Sequence, residues 1–232
     1  MELSVDALAR MMDLSAVRTD VAYPEIEQLA ATAKRFQAIC VFVMPCYAAE
    51  MTRLLSDAPE VGSGSVAGFP SGATATSTKA AEACSLVELG VDEIDMVINV
   101  GWLKSARHDD VREDTAAVVN AAQGKPVKAI LECHYLSNDE MRRGAELAVE
   151  AGVAFVKTGT GWAPTGATLE NVKLLKSVVG DQAGVKAAGG VRDLDTVVEM
   201  IRRGVTRFGI SAESGAKILE ECAARPGGVV TV

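Results

Sequence analysis

The stretch A-F-V-K-T-G-T-G at residues 154–161 decides the fold, because it joins a buried strand to a charged residue and a glycine-rich turn. Residues 154–156 have the apolar, partly β-branched character of a short strand, and Lys157 ends it. Lysine is almost never fully buried without a partner. Desolvation there would lower the pKa of the amine and leave a nucleophile that can attack a carbonyl carbon. The alternative is a lysine whose stem packs while its head reaches water.

Outward from this stretch, short apolar runs alternate with helical repeats along the chain. Turn residues separate the segments, and glycine follows several of the predicted helices. The pattern predicts strands at residues 11–15, 38–44, 62–68, 92–97, 127–131, 154–157, 183–186 and 206–210. It predicts helices at residues 4–12, 25–36, 48–55, 74–89, 111–122, 137–150, 169–179, 193–203 and 214–222.

Eight strands, each followed by a helix, in 232 residues predict a single closed (β/α)8 TIM barrel with a short N-terminal helix. An open doubly wound sheet is the alternative, and it would carry its glycine-rich loop after an early strand. Here those loops come late, after the strands that end at Lys157, Lys186 and Ile210, where a barrel places its phosphate site. No linker or repeat divides the chain, so residues 1–232 are expected to form one domain.

Composition excludes several classes of partner. The formal net charge of −8 argues against nucleic acid and anionic membranes as partners. No apolar run is long enough to span a bilayer, and no basic-then-apolar leader opens the sequence. The five cysteines are odd in number and scattered, so we expect no disulfide framework and a cytoplasmic location.

Three charged residues lie in or at the ends of apolar strands, namely Asp95, Lys157 and Lys186. Catalytic groups of a barrel come from the carboxyl ends of different strands, so the three are expected to converge. Lys157 and Lys186 belong to neighbouring strands, about 4.8 Å apart. Two ammonium groups that close in a low-dielectric pocket cannot both keep their charge, so one becomes nucleophilic near neutral pH. Asp95 can hold the remaining charge and pass protons.

Glu132, Cys133 and His134 could suggest metal ligands. The sequence has only two histidines and no second cluster of ligand residues, so we expect neither a metal nor another cofactor. Glu132 is then expected to accept a hydrogen bond in the substrate pocket or to pair with one of the lysines.

These residues lie in segments that resemble the deoxyribose-phosphate aldolase family, in order and over nearly the whole chain. The resemblance implies a class I aldolase on a (β/α)8 barrel that needs no metal. It implies that Lys157 forms the Schiff base, and that Asp95 and Lys186 form a proton relay. It also assigns the phosphate cradle to Gly189, Gly190, Ser211 and Ser214. The segments are V-A-G-F-P-S-G at 66–72, D-E-I-D-M-V-I-N at 92–99, V-K-A-I-L-E at 127–132, F-V-K-T-G-T-G at 155–161, G-A-T at 166–168, V-K-A-A-G-G-V-R at 185–192 and R-F-G-I-S at 207–211.

The sequence departs from the family pattern at three places around the expected pocket. Gly159 replaces the serine of K-T-S-T-G, Trp162 stands where the family has phenylalanine or lysine, and Glu213 adds an acid to the last loop. Thr160, Trp162 and Glu132 are expected to line the substrate pocket. A phosphate beside Glu213 requires that carboxylate to turn outward.

The resemblance implies reversible cleavage of 2-deoxy-D-ribose 5-phosphate to acetaldehyde and D-glyceraldehyde 3-phosphate. Two alternatives remain at this stage. One is a Schiff-base aldolase acting on a different, non-phosphorylated aldehyde or sugar. The other is a non-catalytic barrel that binds a phosphorylated ligand, against which the intact lysine pair argues. The expected partner is a small molecule, and a homo-oligomer is left open.

Overall fold

The computed structural model describes residues 2–232, in which eight consecutive parallel strands close into a barrel. The strands are β1 (Glu2–Ser4), β2 (Met12–Ala16), β3 (Cys40–Val43), β4 (Gly62–Ala67), β5 (Glu93–Val97), β6 (Val127–Ile130), β7 (Phe155–Lys157), β8 (Gly184–Ala188), β9 (Arg207–Ser211) and β10 (Val229–Thr231). The α-helices are α1 (Val5–Ala9), α2 (Tyr23–Phe36), α3 (Ala48–Leu54), α4 (Thr76–Glu88), α5 (Val100–Lys104), α6 (His108–Ala121), α7 (Asn138–Glu150), α8 (Leu169–Val179), α9 (Leu194–Arg202) and α10 (Ala212–Ala223).

Strands β2 to β9 form the barrel in chain order, and β2 closes it by pairing in parallel with β9. The predicted (β/α)8 barrel and its short N-terminal helix are therefore confirmed. The assignment of residues 1–232 to a single domain stays a prediction. In the described part of the chain, no helix combines the length and the apolar character that crossing a bilayer requires.

The structure corrects the sequence analysis at three places. The residues after β5 form a short extra helix, α5, before α6 begins. The tail at residues 226–232 contains β10, which pairs antiparallel with β1 in a separate two-stranded sheet. The last helix begins at Ala212 rather than Ser214, because Ser211 caps it by accepting a hydrogen bond from the Ser214 backbone N–H. Ala212 and Glu213, which the sequence analysis left in the loop, therefore belong to the helix.

The two faces of the barrel strands carry different chemistry. Ile94 and Met96 alternate with Glu93 and Asp95 along β5, and such alternation places the two sets on opposite faces of the sheet. All members of the apolar set on β5 are fully buried and belong to the hydrophobic core. The charged set faces the barrel interior, which most barrels fill with branched apolar side chains.

Two aromatic rings lie over glycines that pair with them in register on the neighbouring strand, Phe42 over Gly64 and Phe155 over Gly184. A Cβ atom at Gly64 would lie 2.5 Å from the ring of Phe42, and one at Gly184 would lie 2.3 Å from the ring of Phe155. Only glycine leaves room for either ring. The rings in turn pack beneath cations, with the Lys128 Nζ 4.3 Å and the Lys186 Nζ 4.1 Å from the centre of the Phe42 ring.

Candidate active site

Lys157, Lys186 and Asp95 converge inside the barrel. Lys157 is the last residue of β7 and pairs in register with Lys186 on β8. The Lys157 Nζ donates to Asp95 Oδ2 at 2.7 Å, and the Lys186 Nζ donates to the same oxygen at 2.6 Å. Because one oxygen accepts from both, the two amines lie close together, as the sequence predicts.

The pKa of Lys157 is lowered from 10.5 to about 8. Burial is the largest cause, because it penalises the ammonium form. The charges of Lys186 and Lys128 lower it further, whereas Asp95 acts in the opposite direction. A fraction of this amine is therefore unprotonated near neutral pH, which is the form that attacks a carbonyl carbon.

Asp95 is completely buried beneath the two lysines and holds its negative charge strongly. Burial would raise its pKa, but the charges of Lys128, Lys157 and Lys186 outweigh burial and lower it well below the ordinary value. Asp95 does not border the cavity that Lys157 and Lys186 line. Any proton that passes between a bound molecule and Asp95 must therefore travel through a lysine or a water.

Four further charged residues extend this trio, and the sequence analysis did not single them out. Lys186 Nζ also pairs with Asp13 at 2.6 Å, and Lys128 lies 3.2 Å from Asp95. The signal was present as charges spaced two residues apart in apolar strands, as in D-E-I-D. We call the ion-paired set of seven the charge cluster, which comprises Asp13, Glu93, Asp95, Lys128, Lys157, Lys186 and Arg207.

A cavity of about 320 Å³ opens above the lysines at the carboxyl ends of the strands, and we call it the main cavity. It is large enough for a small sugar phosphate. Two of the three expected pocket residues, Thr160 and Trp162, line it. The expected phosphate-binding residues Gly189, Gly190, Ser211 and Ser214 also line it.

One side of the main cavity has the features of an anion site. Gly189 and Gly190 adopt φ angles of 84° and 102°, a conformation that glycine reaches at little cost. The N-terminus of α10 lies at the same side, with Ser211 as its cap. The Ser211 hydroxyl accepts a hydrogen bond from the Ser214 N–H and donates one to the Ser214 hydroxyl, so the Ser214 hydroxyl keeps a proton that it can donate to an anion in the main cavity.

Two arginines that the sequence analysis did not assign to the site also line the main cavity. Arg18 pairs with Asp20 and Glu25. Arg192 is exposed and, in residues 2–232, makes no hydrogen bond or ion pair. Glu213, by contrast, lines a neighbouring groove between α2 and α10 and not the main cavity. The carboxylate is turned away from the anion site, as phosphate binding there requires.

Glu132 takes a different position from the one expected. It does not border the main cavity but a second one, beyond Trp162. Its carboxylate accepts hydrogen bonds from the backbone N–H of Thr160, at 3.2 Å, and from the Thr160 hydroxyl. Among the described residues it pairs with neither lysine of the trio. Glu132 therefore holds the turn after Lys157 instead of contacting a molecule in the main cavity.

Trp162 bridges two loops at the rim of the main cavity. Its indole N–H donates to the backbone carbonyl of Val17 at 2.8 Å, and its ring packs edge-on against Phe69 with centroids 5.8 Å apart. The expected place at the pocket rim agrees with these contacts. Because the indole N–H is already bound to the Val17 carbonyl, it is not free to donate to a molecule in the main cavity.

One set of side chains has the spacing of metal ligands. Ligand atoms of Asp13, Cys40 and Glu93 all lie within 4.8 Å of one another. Both carboxylates already pair with cations of the charge cluster. Burial and then the nearby carboxylates raise the pKa of the Cys40 thiol well above its ordinary value, so it stays protonated. The two carboxylates are therefore already used by the ammonium and guanidinium groups of the charge cluster. The cysteine would have to lose its proton to bind a metal ion, because the thiolate is the metal ligand.

A parallel barrel with a buried lysine pair beneath a polar cavity defines the class of (β/α)8-barrel enzymes whose groups act at the carboxyl ends of the strands. The family model of DeoC/LacD family aldolases matches residues 5–220, and the chain belongs to this family. It is therefore an aldolase, an aldehyde-lyase.

Individual relatives agree with this assignment. The chain is 43% identical over 223 residues to the deoxyribose-phosphate aldolase of Klebsiella pneumoniae, covering 94% of this chain and 88% of the relative. It is 44% identical to that of Carboxydothermus hydrogenoformans, covering 94% and 96%. The deoxyribose phosphate aldolase of Aeropyrum pernix, whose structure is described as tetrameric, superposes with a TM-score of 0.87 at 27% identity, covering 95% of this chain and 93% of that one.

Proposed function

We propose that this aldolase reversibly cleaves 2-deoxy-D-ribose 5-phosphate to acetaldehyde and D-glyceraldehyde 3-phosphate through a Schiff base on Lys157. The observation that carries the proposal is the position of Lys157, which lines the main cavity and shares one oxygen of Asp95 with Lys186; the lowered pKa of Lys157 agrees with it. The names of the two deoxyribose-phosphate aldolases described above support the choice of substrate.

The proposed reaction begins when the neutral Lys157 amine attacks the aldehyde carbon C1 of the open-chain sugar. The carbinolamine loses water and gives an iminium ion, which withdraws electrons from the adjacent C2–C3 bond. Removal of the proton from the 3-hydroxyl breaks that bond and releases glyceraldehyde 3-phosphate. The remaining two-carbon enamine is protonated at C2, and water hydrolyses the resulting iminium ion to acetaldehyde and free Lys157.

We assign the proton transfers to Lys186 together with a water molecule that it holds. Lys186 gives a proton to the carbinolamine hydroxyl as water leaves, the resulting neutral amine accepts the proton of the 3-hydroxyl, and the ammonium then protonates C2 of the enamine. Lys186 lines the main cavity, whereas Asp95 lies beneath it. Asp95 and Asp13 hold the ammonium of Lys186 from below at 2.6 Å each. In this role Asp95 holds the Lys186 side chain in position rather than contacting the sugar.

We further propose that the 5-phosphate binds to the anion site. Backbone N–H groups at Gly189 and Gly190 and the N-terminus of α10 supply donors that favour an anion. Arg192 supplies a cationic side chain with no competing partner in the described residues. A homo-oligomer is supported by the tetrameric relative alone, and a cytoplasmic location stays a prediction from cysteine content.

The substrate is tested by comparing 2-deoxyribose with its 5-phosphate in the wild type and in Arg192→Gln. We expect a strong preference for the phosphate ester in the wild type. Arg192→Gln should raise KM for the ester about tenfold, the loss typical of one charge-assisted hydrogen bond, and should leave KM for the free sugar unchanged. Glu213→Gln serves as the matched control and should change neither value, because Glu213 faces the other groove. Equal use of both sugars by the wild type would refute the phosphate assignment.

A further inference from the structure

The lower part of the charge cluster lies out of reach of any molecule in the main cavity. Glu93, Lys128 and Arg207 do not line that cavity. Glu93 precedes Asp95 by two residues on β5, so it points into the same interior about 7 Å further from the mouth. Buried ion pairs of this kind are costly and can often be replaced by apolar residues, so their presence calls for a reason beyond stability.

Every charged group in this lower part is connected to the active lysines by ion pairs. Lys128 pairs with Glu93 and, at 3.2 Å, with Asp95, which accepts from Lys157. Arg207 pairs with Asp13 at 2.7 Å and with Glu93 at 3.2 Å. The seven residues thus form one continuous network in which Lys157 is an end member, because in residues 2–232 its only ion pair is with Asp95.

The number of charges in the cluster has a consequence for Lys157. Three carboxylates, Asp13, Glu93 and Asp95, face three cations other than Lys157, namely Lys128, Lys186 and Arg207. The cluster is neutral when Lys157 carries no charge, and it carries one excess positive charge when Lys157 is protonated. In a buried environment an uncompensated charge is strongly disfavoured.

We propose that Glu93, Lys128 and Arg207 are positioning residues that fix the charge balance of the cluster, so that Lys157 is the amine left neutral. This inference rests on the proposed function, in which Lys157 must be neutral to attack the sugar. It adds that the nucleophile is selected by residues that never contact the substrate.

The other groups around Lys157 are consistent with this balance. Burial lowers the pKa of Lys128, but the nearby carboxylates of Asp13, Asp95 and Glu93 raise it more, so Lys128 stays protonated. Asp13 and Glu93 likewise raise the pKa of Arg207 against the effect of burial. Four other titratable groups lie near the cluster and take no part in its ion pairs. Cys40 lies below it with a protonated thiol, and Glu132 lies on the β6 side, where it binds Thr160. Arg18 and Arg192 lie at the exposed rim of the main cavity.

The test is to change the number of charges in either direction and to follow the titration of Lys157. Lys128→Met removes a positive charge and should raise the pKa of Lys157, whereas Glu93→Gln removes a negative charge and should lower it. At an effective dielectric constant of about 20, each shift should be about one to two pH units. The double variant Lys128→Met/Glu93→Gln restores the balance and should titrate close to the wild type.

Lys157 is followed by NMR in protein with isotope-labelled lysine, and its signal is identified by its loss in Lys157→Met. If Lys128→Met does not fold, Lys128→Gln replaces it, because the amide keeps hydrogen-bond donors. The matched control is Lys79→Met/Asp114→Asn, which removes a fully buried ion pair of 2.7 Å between α4 and α6, outside the cluster. This control should leave the Lys157 titration unchanged.

Opposite shifts in the two single variants, reversed in the double variant, would support the proposal. A Lys157 titration that does not move, or that moves in the same direction in both folded single variants, would overturn it. Borohydride trapping with acetaldehyde distinguishes this failure from that of the proposed function. The expected shifts without any trapped adduct would support the charge balance and refute the Schiff base.

Discussion

At the scale of single residues, Lys157 and Lys186 differ in their counter-ions although both donate to the same oxygen of Asp95. Lys186 lies between two carboxylates, Asp13 and Asp95, at 2.6 Å from each. In residues 2–232 Lys157 forms an ion pair with Asp95 only, and the positive charges of Lys186 and Lys128 lower its pKa. The surroundings therefore lower the pKa of Lys157, which makes this amine the nucleophile, whereas Lys186 is bound by two carboxylates and is left for proton transfer.

Lys186→Leu should raise the pKa of Lys157 from about 8 toward its ordinary value of 10.5, because a neighbouring positive charge is lost. The nucleophile is the unprotonated form, so the rate of imine formation should fall near pH 7 and recover as the pH rises. Lys186→Arg keeps the positive charge and serves as the control. In this variant the rate of imine formation should rise over nearly the same pH range as in the wild type. The measurement is the pH dependence of borohydride trapping with acetaldehyde, and an unshifted limb in Lys186→Leu would show that the two heads do not interact.

At the scale of elements, the turn after β7 is held by contacts from both neighbouring strands. The Thr158 hydroxyl donates at 2.8 Å to the backbone carbonyl of Ala188, the last residue of β8. On the other side Glu132, at the end of β6, binds Thr160. Glu132 adopts a φ of 56°, a left-handed conformation that is costly for a residue other than glycine. That strain, together with a buried carboxylate, indicates that Glu132 is placed to fix this turn.

Glu132→Ala should weaken substrate binding by loosening the turn, with a rise in KM and a fall of about tenfold in kcat/KM, as expected for a lost buried hydrogen bond. Thr160→Val removes the hydroxyl donor but keeps the backbone N–H that also binds Glu132, so its loss should have the same direction and be smaller. If the two residues act through their mutual contact, the double variant should be little worse than Glu132→Ala alone. Thr160→Ser keeps the hydroxyl and should restore most of the activity. Additive losses would show that Glu132 acts on something other than Thr160.

The secondary-structure elements also show which parts of the fold the sequence pattern could predict. The alternation of apolar strands and capped helices predicted every barrel strand, because the period of the pattern is set by backbone geometry. It did not predict that β1 and β10 pair, since that contact joins residues at opposite ends of the sequence. The Asp95, Lys157 and Lys186 trio was recognisable as charge in apolar strands, but the place of Glu132 depends on a left-handed turn that no periodicity signals.

At the scale of the whole molecule, closure of the barrel brings distant parts of the sequence into one charge cluster. The register of β2 with β9 places Asp13 within 2.7 Å of Arg207, which lies far along the chain. The spacing of charges in apolar strands marks these residues as candidates, but which of them pair with one another depends on the closed barrel and not on their distance in sequence. The acidic charge of the whole chain and the cationic rim residues of the main cavity are compatible, because the anion site is local.

In the proposed mechanism the barrel delivers Lys157 to the main cavity as the amine that forms the Schiff base. This is tested by borohydride reduction in the presence of 2-deoxyribose 5-phosphate or acetaldehyde, followed by peptide mass mapping. We expect one stable adduct on Lys157, increasing with pH through about 8, and no adduct in Lys157→Arg, whose guanidinium stays protonated. An adduct on another lysine with Lys157 unmodified, or turnover that persists in Lys157→Arg, would contradict it.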